Sequence, residues 1–179
     1  MKKIMIALAA VALAVSAQAA SFSWKTSATG KLYGAGTTTL LASGTAYLFD
    51  SAAVSQQAVL DAVLGGSDLS SLTSLSSASV ANGAISTTNF DWGSAGDTLN
   101  AFVAIVDGDN VFISATTGKM GDASATAGLQ YNLKSASQAA ASASTSFSSA
   151  GWYAAVPEPT SGLLMLVGLA GLALRRRRA

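Results

Sequence analysis

The spacing of hydrophobic and polar positions changes several times along this chain, and each change marks an element. Ser21-Phe22-Ser23-Trp24-Lys25 alternates polar and apolar side chains, the period of a strand with one buried face. Gly44 to Phe49 reads as a buried strand ending at Asp50. Leu99 to Val106 is a longer apolar run, partly β-branched. Asp107-Gly108-Asp109-Asn110 follows with turn chemistry and Val111-Phe112-Ile113-Ser114 returns, so these residues predict a hairpin. Shorter strands are expected at Ala84 to Phe90, running into Asp91-Trp92-Gly93, at Ala127 to Leu133, and at Gly151 to Ala155. One stretch takes a helical period instead. From Ala52 to Leu64, Leu60, Val63 and Leu64 recur at i, i+3 and i+4; Asp50 or Ser51 is the expected cap, and Gly65-Gly66 stops the run. This helix is expected across an edge or end of the sheets. Lys31-Leu32-Tyr33 lies among glycines and predicts turns. Asp68 to Asn82, with leucines at 69, 72 and 75, fits either a helical turn or a loop. The sum predicts a mainly β fold, an antiparallel β-sandwich with one short helix.

The two ends of the chain follow a different logic. Met1-Lys2-Lys3 is basic, Ile4 to Val15 is apolar, and Ala17-Gln18-Ala19 is a small-x-small site. Together they predict a secretory signal peptide over 1–19, recognised at Ala17 and Ala19 and cut after Ala19 by signal peptidase. At the other end, Ser161 to Leu174 carries no charge over fourteen residues. As a helix it spans roughly 21 Å, short of the roughly 30 Å of a hydrocarbon core. Flanking arginines can snorkel to the interface and make so short a span work. Arg175, Arg176, Arg177 and Arg178 close the chain before Ala179 and hold that end cytoplasmic, placing the bulk of the protein outside. Pro157 and Pro159 lack an N–H and keep the segment before the span out of a helix, open to an enzyme at the membrane face. A plain proline stop before an ordinary anchor accounts for the same spacing.

Val156-Pro157-Glu158-Pro159, a glycine-rich apolar span and a terminal arginine cluster, in this order, resemble the PEP-CTERM sorting signal. The resemblance covers 156–179, with the transmembrane helix at 161–174. It implies recognition through Pro157, Glu158 and Pro159 by an exosortase, a multi-spanning membrane enzyme that cuts near the Pro-Glu-Pro. It also implies a Gram-negative-type host, often a maker of exopolysaccharide, which adds exopolysaccharide as an expected partner. The route runs from inner-membrane anchoring through the C-terminal helix to the cell surface or extracellular space.

Removing the ends changes the charge. The whole chain has a net charge of +1. From Ala20 to Val156, four lysines and eight aspartates leave −4. A basic footprint for nucleic acid is absent, so no nucleic-acid partner is expected. All thirteen aromatic residues lie in this middle part, enough for a core, and there is no cysteine to staple it. Ser135 to Ala150 is low in complexity, thirteen of its sixteen residues being serine or alanine, and reads as a linker or a loose helix around Ala139 to Ala143.

Candidate chemistry is sparse. With no histidine or cysteine, Ser-His-Asp and Cys-His catalysis and the usual zinc sites are excluded. Asp91 with Asp97, or Asp107 with Asp109, are the nominal carboxylate pairs for a glycosidase, but aspartates beside glycines are mostly turn residues. Asp107, Asp109 and Asn110 lack the late glutamate of a calcium loop. Trp24, Trp92 and Trp152 form either a sugar-stacking platform or part of the core. The expectation is a non-enzymatic exported protein without catalytic residues, metal or cofactor, structural or adhesive in role. Its β-rich domain occupies 20–155, and a carbohydrate-binding module is the alternative.

Overall fold

The computed structural model describes residues 19–27, 30–121, 131–133 and 138–154, the backbone alone at 131–133. The expected hairpin supplies the centre. β6 (Thr98–Asp107) turns through Gly108 and Asp109 into β7 (Asn110–Ile113), with Asp107 opposite Asn110. Gly108 sits at φ +57, a conformation that costs glycine little, at the first position of the two-residue loop. β6 pairs along its other edge with β2 (Ser43–Asp50). β2 in turn pairs with β3 (Ser76–Ala81), and β3 with β4 (Ala84–Ile85). β8 (Thr117–Met120) pairs with the first half of β6. β10 (Gly151–Ala154) adds to β7, completing a seven-stranded sheet. A second sheet of three strands runs β5 (Thr88–Ser94), β1 (Ala19–Thr26), β9 (Tyr131–Leu133). The pairs are antiparallel except β1 with β9, which run parallel.

Alternation along these strands builds two apolar layers. Phe22 and Trp24 of β1 pack with Leu48, Val103, Ile105, Phe112 and Trp152 of the large sheet. The intervening residues Phe49, Phe102, Ala104, Val111, Ile113 and Tyr153 point to the opposite face. There they meet α1 (Gln56–Leu64) through Val59 and Leu60, and Leu69 of a single 3₁₀ turn over Leu69–Ser71. β6 is therefore covered on both faces, which is why it reads as a continuous apolar run instead of an alternating one. The helix lies on a face of the large sheet and not, as expected, across an edge or end. A second correction concerns its cap. Ser55 caps α1 by accepting from Ala58 N at 3.1 Å, while the Asp50 carboxylate closes a turn by accepting from Ala52 N at 2.9 Å.

Other boundaries move as well. The strand expected from Ala84 to Phe90 is two strands, β4 and β5, in different sheets, and Asp91-Trp92-Gly93 continues β5. Asp68 to Asn82 resolves into the 3₁₀ turn, capped by the Asp68 carboxylate, and the strand β3. Asn82 and Gly83 then form a two-residue turn with φ of +49 and +69, the Asn-Gly hairpin signal. Residues 138–150 show no helix. They run as an irregular strap, bridged at Ser142 to Tyr153. Residues 127–130 of one expected strand lie outside the described residues.

Two hydroxyls complete the ladder where strands end. Val103 sits between the stretches of β6 paired with β7 and with β8, and its N–H donates to Ser114 Oγ at 2.9 Å. Thr26 Oγ accepts from Ile85 N at 3.2 Å, joining the small sheet to the short edge strand β4. Among the described residues, no helix is long and apolar enough to cross a membrane. The expected span 161–174 lies outside the described residues.

Candidate functional site

The chain leaves the domain through β10, and the geometry of that exit is the described part of the site. Pro157, Glu158, Pro159 and Arg175 to Arg178 lie outside the described residues, as does Ala17. What the structure describes is the root from which the tail departs.

β10 is clasped on both edges. On one side it pairs with β7, Trp152 opposite Phe112 and Ala154 opposite Asn110. On the other, Ser142 N donates to the Trp152 carbonyl at 2.8 Å, and Ala154 N donates to the Ser142 carbonyl at 2.9 Å. Its side chains are anchored in both layers. Trp152 is 2 % exposed in the inter-sheet core, its ring 5.6 Å from that of Phe112. Tyr153 is buried in the layer under α1, with Phe147 of the strap 5.7 Å from its ring. The Tyr153 hydroxyl donates to the Ser149 carbonyl at 2.6 Å and accepts from Ser148 N and Ser149 N at 3.2 Å. Burial pushes this phenol's pKa up, but the backbone hydrogen bonds of Ser149 and Ser148 outweigh it and leave the group below its ordinary 10.0. Gln57 of α1 fastens the strap: its Nε2 donates to the Thr145 carbonyl at 3.0 Å and its Oε1 accepts from Phe147 N at 2.7 Å.

Magnitudes rank these contacts. Burying each aromatic is worth roughly 1.5–3 kcal/mol, and each hydrogen bond a net of about 0.5–1.5 kcal/mol. Trp152 and Tyr153 thus carry most of the root. The serine- and alanine-rich strap contributes by occupying an edge that would otherwise present bare N–H and C=O groups.

The opposite end of the domain receives the N-terminal entry. Ala19, exposed, begins β1, and Ala20 is buried directly against Gly121, whose backbone bonds to Gly96 and Asp97 just before β6 begins. The tail leaves beside Asn110, where β6 has ended. Nine steps of β6 separate the two ends, about 30 Å.

The structure also places the remaining candidates. Trp24 is fully buried and donates from Nε1 to Ser76 Oγ at 3.1 Å. Trp92 is half-buried, edge-on to Phe22 at 6.1 Å. With Trp152 in the core as well, the three do not line up as a stacking platform. Asp91 accepts from Ser21 Oγ at 2.7 Å, and Asp97 closes a turn by accepting from Ser94 N at 2.8 Å. Asp107 and Asp109 belong to the β6–β7 turn. Among the described residues, no three of His, Cys, Asp or Glu are grouped to hold a metal.

Sequence reasoning missed Ser142, Gln57 and Phe147 as root residues. Phe147, the lone aromatic of the strap, was the available signal. Nothing in the local sequence distinguishes Ser142 from its neighbouring serines.

Residues 155–178 match a family model described as the PEP-CTERM protein-sorting motif. The match covers twenty-four residues and starts at the residue after β10, one earlier than the boundary read from sequence. No curated protein and no solved structure matches the chain. The tail is thus a PEP-CTERM sorting motif, which marks an exported protein whose membrane-associated tail is processed by an exosortase.

Proposed function

We propose that residues 20–155 are a non-enzymatic domain, structural or adhesive, delivered to the cell surface or extracellular matrix. In this reading signal peptidase cuts after Ala19, and the helix over 161–174, with Arg175 to Arg178 inside, holds the domain at the inner membrane. The exosortase then recognises Pro157, Glu158 and Pro159 and releases it. The observation that carries the reading is the abutment of fold and signal. The last described strand, fastened by two buried aromatics and both its edges, runs to Ala154, and the sorting motif begins at the next residue. A domain whose described part runs up to the sorting signal is the cargo of that signal. Exopolysaccharide is the matrix component this reading pairs with the domain. The polar surface of β3, where Ser77 and Ser79 are exposed, suits a hydrated, low-charge exterior.

A carbohydrate-binding module would be favoured by a row of exposed tryptophans. Trp24 and Trp152 are buried, so no observation favours that second reading.

Intact mass tests the proposal, measured on protein from a host with and without its exosortase. The expected mature species starts at Ala20 and ends between Pro157 and Thr160 only when the enzyme is present. Retention of Arg175 to Ala179 in both hosts refutes processing.

A further inference from the structure

We propose that one end of the domain is the face that meets the processing enzyme at the membrane. That end comprises the β6–β7 turn Asp107–Asn110, the 34–37 turn and strap residues 139–142. The inference rests on the processing reading above and adds to it which surface of the cargo the enzyme must accommodate.

The argument is one of reach. Ala154 is held from both sides, by β7 opposite Asn110 and by the Ser142 carbonyl, with Trp152 and Tyr153 buried just before it. It cannot move away from the domain without withdrawing both aromatics. Three residues on is Pro157, so the recognised triplet starts at most about 10 Å from Ala154 whatever path the chain takes. Ser161, where the apolar run starts, is at most about 25 Å away. Whatever surface surrounds Ala154 therefore lies against the enzyme while it works.

That surface is defined by the register. Asn110 pairs with Ala154, and the turn residues Gly108 and Asp109 are exposed beside it. Gly36 N donates to the Ala139 carbonyl at 2.9 Å, which brings the 34–37 turn to the strap. Gly34 lies against the Asp107 carboxylate, where an added Cβ would stand 3.3 Å from Oδ2. Asp107 and Asp109 make this end acidic. A protein face presenting cationic or hydrogen-bond-donating groups complements such a surface. The opposite end, at the Ala95–Gly96 turn before β6, is about 30 Å away and stays clear of the enzyme.

The test inserts a folded module of about 60 residues, about 25 Å across, into the full chain in a host carrying the exosortase. One variant places it between Gly108 and Asp109, another between Ala95 and Gly96. A third combines the first with ten Gly/Ser residues after Ala154, which adds about 18 Å of mean reach. Tail removal is followed by intact mass. The hairpin insertion is expected to slow removal at least about tenfold, since the module is wider than the available reach. The Ala95–Gly96 insertion stays within about twofold of the parent, and the linker restores the hairpin variant to a similar rate. Restoration separates a steric block from a misfolded domain. Equal rates for the two insertions, or a loss that the linker does not restore, overturn the proposal while leaving the processing reading intact. A parent chain that never loses its tail overturns both.

Discussion

Two tryptophans of the inter-sheet core offer a controlled comparison. Trp24 and Trp152 are 0 % and 2 % exposed. The Trp24 indole N–H donates to Ser76 Oγ at 3.1 Å. Trp152 Nε1 is the one buried side-chain donor without a partner among the described residues. Replacing either with phenylalanine removes the same atoms. The lost transfer energy and the residual cavity, at about 24 cal/mol per Å³, are therefore similar at the two sites. What differs is the polar balance. Trp24→Phe forfeits a hydrogen bond worth a net of about 1 kcal/mol and leaves the Ser76 hydroxyl to find another partner. Trp152→Phe removes an orphan whose burial costs about 1–3 kcal/mol. The difference is thus about 2–4 kcal/mol, with Trp152→Phe the milder change and close to neutral once its cavity term is offset. The assay is urea unfolding of the mature exported protein, followed by far-UV circular dichroism so that the lost fluorophore does not matter. Unequal slopes would signal a changed denatured state, so midpoints are compared at constant slope. Losses equal within about 0.5 kcal/mol, or a larger loss at Trp152, would refute the claim that its indole N–H is buried without a partner.

Further expectations concern the turn, the strap and alkaline pH. Gly83→Ala puts a Cβ 2.7 Å from the Leu32 carbonyl oxygen at φ +69, and should cost more than about 2 kcal/mol, read as a drop in urea midpoint. Gln57→Ala frees the Thr145 carbonyl and Phe147 N–H from α1; a loss of about 1–2 kcal/mol and faster proteolytic nicking within 143–150 are expected. At Tyr47, burial first, then the charge and hydrogen bond of Asp68, raise the phenol pKa above 10.0. That contribution to stability is complete below pH 10 and is lost as pH rises through the raised value. Tyr153 has the opposite sign, because its lowered pKa makes the folded state release its proton first. Between about pH 9 and 11, Tyr47→Phe should therefore lose less stability than the parent and Tyr153→Phe more, as measured by thermal midpoint across the pH range.

Much of the architecture was legible before any coordinates. The β6–β7 hairpin follows from apolar runs flanking Asp-Gly, because a turn with positive φ is a local decision that glycine makes nearly alone. The Asn82-Gly83 turn carried the same signal and could have been read in the same way. β3 was not legible. Its Ser-Ser-Ala-Ser-Val-Ala has weak strand preference, and it becomes a strand because β2 offers it a ladder and the core accepts Ala78 and Val80. The sorting motif stands apart, because its order of residues is enough to match it to a family model.

The amino-acid order alone therefore determined the turns, the strand periods and α1, which rest on interactions between near neighbours, and the tail motif, which is a matter of residue order. Tertiary structure decided the rest. It sorted the ten strands of the described residues into two sheets, put α1 on a face of the larger one, and sent Trp24 and Trp152 into the core instead of onto a platform. It also brought Ser142 to the edge of β10, so that a featureless serine became part of the clasp that holds the tail. These outcomes depend on which distant surfaces bury one another, an energy that belongs to pairs of elements and is written in no single segment.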